Sequence, residues 1–424
     1  MKLSKISLAA LVALGAFSSV ASATPLEEAI KNVDMSGFAR YRYDNVKSKP
    51  YQEKSDTEAN HLFRLTTDFK AAIDDNFFGV LGLRYNSKDN SANEFDKTDA
   101  DGKFGVYQLY LGYKAQNTTI TAGKQVIGSF FTDDEVGTGV KIVNQDIEGL
   151  TLVAAAFDAL DYDTYEVDGG LLEHIKGKYS AKDAAGATVE IAYPHKSGNL
   201  YMVGAVGSYD PIGFQLWYAS LTDIVDIAAV EVTGNFAITD DVSVGFTANY
   251  AYASADSKAK KKFVTNAEYD TAAATWDTEN KYNDGNFYAG ELSTSLFGAD
   301  VAAGYVGWKA KNHGVTSFTL EDNGALIAPG EETFDHTWAS GKGSFWYGTV
   351  GYTFMDKFFV GADYIQGSIK GKDEKTKIKE VVPRLSYAYS EKLEFSSWYS
   401  YKEEKSGGDK EKQDKFRFEA KYSF

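Results

Sequence analysis

The stretch Phe416-Arg417-Phe418-Glu419-Ala420-Lys421-Tyr422-Ser423-Phe424 constrains the fold more than any other. Apolar residues fall at 416, 418, 420, 422 and 424, and polar ones at 417, 419, 421 and 423. A period of two is the strand period, so one face of this segment is apolar and the other polar. An edge strand of a soluble β-domain also alternates in this way. A final aromatic on the apolar face fits a strand with a lipid side and a water side better.

The start of the sequence points the same way. Lys2 and Lys5 precede an apolar core from Ile6 to Val20, and Ala21-Ser22-Ala23 has the small-x-small form of a cleavage site. Residues 1–23 read as a secretory signal peptide, leaving 24–424 as one mature domain. Beyond it the longest apolar run is Leu150 to Phe157, ended by Asp158. A spanning helix needs about 20 apolar residues, so a helical membrane protein is excluded. Thr24 to Asn32 reads as a short periplasmic helical turn.

Alternation recurs along the chain. Gly37, Ala39, Tyr41 and Tyr43 share one face; Phe38, Arg40 and Arg42 share the other. Phe63, Leu65, Thr67, Phe69, Ala71 and Ile73 alternate with Arg64, Thr66, Asp68 and Lys70, and the pattern resumes after Asp74-Asp75-Asn76. Further strands are expected near 77–86, 107–113, 119–126, 139–143, 150–157, 199–209, 213–221, 226–236, 242–253, 286–297, 300–309, 345–354, 357–367, 378–389, 393–402 and 414–424. With the first two these make eighteen. Short connections alternate with long ones, apart from one short outer loop near 222–225. A soluble sandwich has no reason to segregate its loops by length. The fold class is therefore all-β: a transmembrane antiparallel β-barrel of 18 strands, with short periplasmic turns and long outer loops. Such a sheet is wide enough for a water-filled lumen. Pro383 fits poorly inside its strand, because it removes a ladder hydrogen bond; a bulge or a register shift of one is expected there.

Composition agrees. There are 28 Tyr and 27 Phe, yet the mean hydropathy is −0.34. Tyr favours boundaries between hydrocarbon and water. The absence of cysteine removes disulfides, thiol nucleophiles and thiolate metal sites. His61, His174, His195, His313 and His336 show no metal-ligand spacing. Removing Lys2 and Lys5 takes the net charge from −16 to −18, against nucleic acid as a partner. No Gly-x-Ser-x-Gly, phosphate loop or His-Glu-x-x-His is present, so no enzyme is expected.

Arg40, Arg42, Arg64, Arg84, Arg384 and Arg417 are all the arginines, and all fall on the face assigned inward. They lie on strands 1, 2, 3, 16 and 18, which form one arc once the sheet closes. Arginine keeps its charge and presents a planar fork, so the arc reads as a positive stripe in the lumen. The bland alternative is that each arginine pairs with a local carboxylate and fills space. The opposite pole is expected from Gly128 to Gly139, where Asp133, Asp134 and Glu135 stand in series between glycines. Folded inward, they face the arginines across a narrow place; the alternative is a solvated acidic loop. Asp161 to Asp168 is a second acidic stretch. It lacks the glycine of a calcium-loop motif, though carboxylates from several loops could share a Ca²⁺.

Several stretches resemble one family. They are Thr24-Pro-Leu-Glu-Glu-Ala-Ile30, Ser36, Arg40-Tyr-Arg-Tyr-Asp44, Gln108-Leu-Tyr-Leu111 and Ala122-Gly-Lys-Gln125. Thr132-Asp133, Val136-Gly-Thr-Gly-Val-Lys141, Gly149-Leu-Thr-Leu152, Gly198-Asn-Leu-Tyr201 and Ala205-Val-Gly-Ser-Tyr-Asp210 follow. Glu321-Asp322, Gly324 and Gly330-Glu-Glu332 complete the set. In this order they resemble the major outer-membrane porins of Campylobacter and related epsilon-class bacteria. The resemblance implies an eighteen-stranded general-diffusion porin, trimeric and modestly cation-preferring, with a divalent cation, Ca²⁺, near the constriction. By position that role goes to Asp134 or Glu135, with Asp168 and Glu321. Between Thr132-Asp133 and Val136 this sequence is shorter than the family pattern.

The expected function is a passive channel for ions and small hydrophilic solutes in the outer membrane of a Gram-negative bacterium. Expected partners are outer-membrane lipid, lipopolysaccharide and two further copies of the chain. One rival is a substrate-specific channel, which needs an aromatic track; Phe38, Phe78, Tyr110 and Trp398 are too scattered to form one. The other is a surface adhesin or structural protein.

Overall fold

The computed structural model describes residues 33–50, 55–91, 98–99, 101–161, 170–171, 178–182, 188–192, 198–262, 264–265, 268–270, 275–277 and 280–424. The signal peptide, the turn expected at 24–32, and Asp168 lie outside the described residues.

Eighteen strands form one closed antiparallel sheet. They are β1 (Val33–Lys49), β2 (Asp56–Ala72), β3 (Phe77–Ser91), β4 (Lys103–Ala115), β5 (Thr118–Val126) and β6 (Val136–Asn144). Next come β7 (Leu150–Leu160), β8 (Leu200–Tyr209), β9 (Ile212–Leu221), β10 (Val225–Thr239), β11 (Val242–Ala255) and β12 (Gly285–Leu296). The last six are β13 (Ala299–Ala310), β14 (Lys342–Phe354), β15 (Phe358–Lys370), β16 (Lys375–Ala388), β17 (Leu393–Ser406) and β18 (Asp409–Ser423). Each expected strand has its counterpart, most of them longer than the alternation indicates.

Closure comes from β1 pairing with β18, where Arg42 stands opposite Glu419 and Asp44 opposite Arg417. Phe424 extends this seam: its N–H reaches the Gly37 carbonyl at 3.0 Å, and Gly37 N–H reaches its carbonyl at 3.1 Å. A closed sheet has no unpaired edge, as hydrocarbon requires.

The outer face is apolar by alternation. On β14, Trp346, Val350, Tyr352 and Phe354 are exposed, while Phe345 and Tyr347 on either side of Trp346 are buried. Near the short turns, aromatic pairs line the same face. Phe77 and Tyr113 have ring centroids 4.8 Å apart, and Phe358 and Tyr387 4.3 Å apart. They belong to the aromatic girdle of a barrel at the membrane boundary. The turns are tight. Asp74 accepts the N–H of Asn76 at 2.9 Å and of Phe77 at 2.7 Å.

The Pro383 expectation is corrected. Neither a bulge nor a register shift occurs. Pairing with β17 is interrupted between Val381 (opposite Tyr401) and Arg384 (opposite Trp398), and the register is the same on both sides. The pairing with β15 runs unbroken through Pro383. A ladder gap confined to one side accommodates the missing N–H.

The long connections hold structure that alternation did not signal. Short antiparallel strand pairs form between 178–182 and 188–192, 268–270 and 275–277, and 315–316 and 339–340. A one-turn helix spans Ser257–Lys262.

The interior is divided. Around β1–β4 and β16–β18 it carries charged and polar side chains. Across β6–β15 its upper part is apolar: Val153, Phe157, Met202, Trp217, Phe287, Trp308 and Phe345 are buried there. They form one cluster with Phe130 and Phe131 from the β5–β6 connection and with Phe318, Leu320, Leu326 and Phe334 from the β13–β14 connection. Fully burying each large apolar side chain contributes about 1.5–3 kcal/mol. The two connections are thus held inside the barrel by a hydrophobic core, on the side opposite the arginines.

Candidate pore constriction

The arginine wall begins with strand register. Arg40 on β1 stands directly opposite Arg64 on β2 and Lys421 on β18. Like charges side by side repel, so the row depends on counter-charges from neighbouring rows and from loops. Glu419 takes Arg42 through Nη2 at 2.9 Å and Nε at 3.0 Å, and lies 3.9 Å from Arg40 Nε. Asp44 takes Arg417 in a two-pronged pair, both bonds 2.6 Å. Arg384 bonds Asp363 through Nε at 2.8 Å and also pairs with Glu331. Guanidinium groups also lie over rings: Arg84 4.4 Å over Tyr107, Arg417 5.1 Å over Trp398 and Arg40 5.9 Å over Phe38.

The acidic connection between β5 and β6 meets this wall. Gly128 opens it with a φ of +61°, which glycine adopts freely. Its neck is closed by Ile127 N–H to the Glu135 carbonyl at 2.9 Å. From the wall, Lys141 Nζ donates to the carbonyls of Val126 and Ile127 at 3.0 and 3.2 Å. Phe130 and Phe131 point into the hydrophobic core, so the carboxylates face away from it. Asp134 then accepts Arg64 Nη1 at 2.6 Å and Arg84 Nη2 at 3.1 Å. Its side chain remains 37% exposed, against 4% for Arg64. Burial would raise its pKa, but Arg84 and Arg64 outweigh that and hold it below the ordinary aspartate value. Asp133 lies within the field of Lys421, Arg64 and Arg40, yet burial and the charge of Asp134 push it up.

The second inward segment joins β13 to β14. Its main chain pairs with the acidic connection: Leu320 N–H to the Phe131 carbonyl at 2.8 Å, and Ala325 N–H to the Phe130 carbonyl at 2.9 Å. Glu321 Oε2 accepts the N–H groups of Asp133 at 2.8 Å and Glu135 at 2.7 Å. Its carboxyl group also meets that of Asp134. Burial, then the charges of Asp134 and Glu135, push its pKa up to about 10. Farther along, Glu380 on β16 is fully buried. Its oxygens accept Glu331 N–H at 3.0 Å, Glu332 N–H at 3.1 Å, Thr333 Oγ1 at 2.6 Å and Ser400 Oγ at 2.7 Å. Lys415 Nζ pairs with Glu332 at 2.7 Å. His336 is packed against Phe287 and Phe334 and bonded to the Ile327 carbonyl at 3.2 Å; burial pushes its pKa down to about 4.

Of the residues singled out from sequence, Asp134 meets Arg64 and Arg84, and Asp133 faces Arg40, Arg64 and Lys421. Arg42, Arg384 and Arg417 pair with wall or second-segment carboxylates instead. Glu135 is buried, and its main-chain N–H bonds Glu321. Glu380, Asp363, Glu331 and Lys415 carry much of the arrangement and escaped sequence reasoning. The available signal was the loss of alternation over 310–344 together with Phe318, Phe334 and Gly330. Among the described residues, no group of three or more His, Cys, Asp or Glu is arranged to hold a metal ion. Asp134 and Glu321 supply two adjacent carboxyl groups.

The family model for the Campylobacter major outer membrane protein matches residues 1–424. The chain belongs to that family. It is accordingly a porin of the Gram-negative outer membrane, and family and fold point to a channel rather than an enzyme. No curated protein matches the sequence. Solved structures with the same fold include Pseudomonas aeruginosa OprD, 14% identical with a TM-score of 0.65, over 96% of this chain and 98% of that one. A BenF-like porin from Pseudomonas fluorescens Pf-5 is 15% identical with a TM-score of 0.64, over 92% and 99%. Acinetobacter baumannii OccAB2 is 13% identical with a TM-score of 0.64, over 92% and 98%.

Proposed function

We propose that the chain is a general-diffusion channel for ions and small hydrophilic solutes, modestly cation-preferring, with its narrow passage lined by the two inward segments and the arginine wall. The observation that carries this reading is the contact of a partly exposed Asp134 with Arg64 and Arg84. A carboxylate docked on a cationic wall and still partly open to the lumen contributes to the charge that ions meet at the narrow place, and rings of charged side chains set ion preference. The acid excess of the chain, −16 overall, favours cations at the mouths. The deciding experiment is a planar-bilayer recording of the purified protein under a KCl gradient. A cation-directed reversal potential supports the proposal. A reversal potential at zero or of anion sign rejects the cation preference, and absence of conductance steps rejects the open channel.

Asp134 and Glu321, with Asp168 by family position, would hold a Ca²⁺ ion if one binds. Two carboxyl groups forced together, one of them kept protonated by the other, make a site short of positive charge. Bound there, the ion would supply that charge and reduce cation preference. Added Ca²⁺ should then move the reversal potential, and Glu321→Gln should abolish the response. A trimer in a leaflet of lipopolysaccharide is proposed from the family alone; mass measurement in detergent and conductance steps in threes test it.

A further inference from the structure

We propose that the lipid-side rim at the loop end of β13–β16 is a docking site for the phosphate groups of an anionic outer-leaflet glycolipid. Strand register carries the inference. Lys309 stands directly opposite Lys342, Lys342 opposite Lys370, and Lys370 opposite Lys375. Four lysines therefore form one unbroken row across four strands, about 14 Å long at the usual inter-strand spacing of ~4.8 Å. All four are exposed, while Trp308, Gly343 and Ile378 nearby are buried or face inward. The row thus faces outward. Lys377 continues it one step along β16 and stands opposite Lys405, which stands opposite Lys410.

Like charges directly opposite one another destabilise a sheet. Among the described residues, Lys309, Lys342, Lys370 and Lys375 form no ion pair. Several nearby carboxylates are committed elsewhere, and Asp373, in the connection between Lys370 and Lys375, pairs with none of the four lysines. Glu403 holds Lys405 at 2.8 Å and Lys410 at 2.5 Å, Asp284 holds Lys260 at 2.6 Å, and Glu374 accepts Ser406 Oγ at 2.7 Å. A row of exposed ammonium groups in fixed register, with no ion pair among the described residues, is placed to gather anionic groups from outside the chain.

Position along the strands selects the anion. Four residues down β14 from Lys342 is Trp346, 68% exposed on the same face, and Val350, Tyr352 and Phe354 continue below it. Lys379 lies 5.3 Å over the Tyr364 ring. Aromatic side chains mark the membrane boundary. The lysine row therefore lies just outside the hydrocarbon, at the depth of the headgroups. It belongs to the loop end, because Lys309 and Lys342 flank the longest described inward connection and Lys370 and Lys375 the next. This depth is occupied by lipid phosphate, not by soluble anions. The inference rests on the outer-membrane location and not on the channel reading.

The test uses the full-length protein in detergent, titrated with a bis-phosphorylated lipid A-type glycolipid and with the same glycolipid after enzymatic dephosphorylation. Tighter binding of the phosphorylated form is expected. Replacing Lys309, Lys342, Lys370 and Lys375 together by Gln should weaken it on the order of a hundredfold at physiological salt. Replacing them by Arg should retain it. Lys357→Gln with Lys392→Gln, at the opposite end of the barrel, should change nothing. Unheated gel mobility and single-channel conductance of the variants check the barrel independently, so a failed channel reading leaves this test intact. Equal binding of both glycolipids, or undiminished binding by the Gln variant, overturns the proposal. So does competition by inorganic phosphate at equal phosphate concentration, which makes the row a free-anion site. Self-association that the Gln substitutions abolish without glycolipid assigns the row to a second copy and overturns it too.

Discussion

Glu380 accepts the main-chain N–H of Glu331 at 3.0 Å, so a side chain of the barrel wall holds the tip of an inward segment. Three further donors converge on the same carboxylate. A buried carboxylate survives only when its lone pairs are satisfied, and here three of the four donors come from the segment it anchors, the fourth being Ser400 on β17. Each partner depends on the other.

Glu380→Ala should therefore release the 330–333 tip. Each hydrogen bond to a charged group contributes about 1.5–3 kcal/mol, and several are lost together. The expected result is a larger and noisier single-channel conductance with the barrel still folded. Unchanged conductance would remove Glu380 from any role at the constriction.

Gly330→Ala reaches the same tip through the backbone. Gly330 has a φ of +83°, and an added Cβ would stand 2.6 Å from Glu380 Oε2 and 2.8 Å from Ile365 Cδ1. Strain and displacement should cost about 1–3 kcal/mol. Conductance should shift in the direction of Glu380→Ala, by less. A thermal midpoint equal to wild type would contradict this.

Asp134→Asn removes the carboxylate that Arg64 and Arg84 share. The reversal potential under a KCl gradient should move toward anions. The loss of stability should stay near 1 kcal/mol, because Asp134 is partly solvated and its ion pairs are screened. A larger cation preference in the variant would reverse the assigned polarity of the constriction.

His336 is neutral in the folded chain, with its pKa lowered to about 4 by burial. The unfolded chain takes up this proton first as pH falls. The stability tied to His336 is therefore complete above its ordinary pKa, about 6.5, and is lost between there and about 4, by on the order of 3 kcal/mol. His336→Gln should flatten this acid limb in thermal melts. An acid limb identical to wild type would assign the acid sensitivity elsewhere.

Glu321 works in the other direction. Its folded pKa is raised by burial, then by Asp134 and Glu135. The unfolded chain loses the proton in the ordinary carboxylate range, so docking of the two segments weakens as pH rises from there toward about 10. Glu321→Gln keeps an acceptor for the Asp133 and Glu135 N–H groups and carries no proton to lose. It should equal wild type in acid and exceed it at alkaline pH. A variant less stable than wild type throughout would mean the carboxylate is ionised and needed.

The barrel was legible because alternation is a property of each strand alone. Phe416 to Phe424, or Phe63 to Ile73, declares its lipid side without knowledge of a partner. The arginine faces followed from the same parity, and the acidic loop from its glycines. The second inward segment was not legible, because what holds it is distant in sequence. Phe318 and Phe334 find their core on β12–β15, and Glu331 finds its anchor on β16. The apolar interior was hidden for a related reason. Val153 and Phe157 alternate with Leu152, Ala154 and Ala156, so β7 is apolar on both sides and reads as one run rather than as an inner and an outer face. The lysine row is invisible in sequence, since only register brings Lys309, Lys342, Lys370 and Lys375 together.

The seam between β1 and β18 has a consequence for how the last pairing finds its alignment. A slip of one residue turns every charge of one strand onto the lipid side. A slip of two keeps the faces but reorders the partners. In one direction Arg42 meets Arg417, while Arg40 meets Glu419 and Asp44 meets Lys415; in the other, Arg42 meets Lys421 and Asp44 meets Glu419. Only the observed alignment pairs Arg42 with Glu419 and Asp44 with Arg417. The order of charges along the two terminal strands thus repels one of the two nearest errors, and the forked Asp44–Arg417 and Arg42–Glu419 pairs set the observed closure apart from the other.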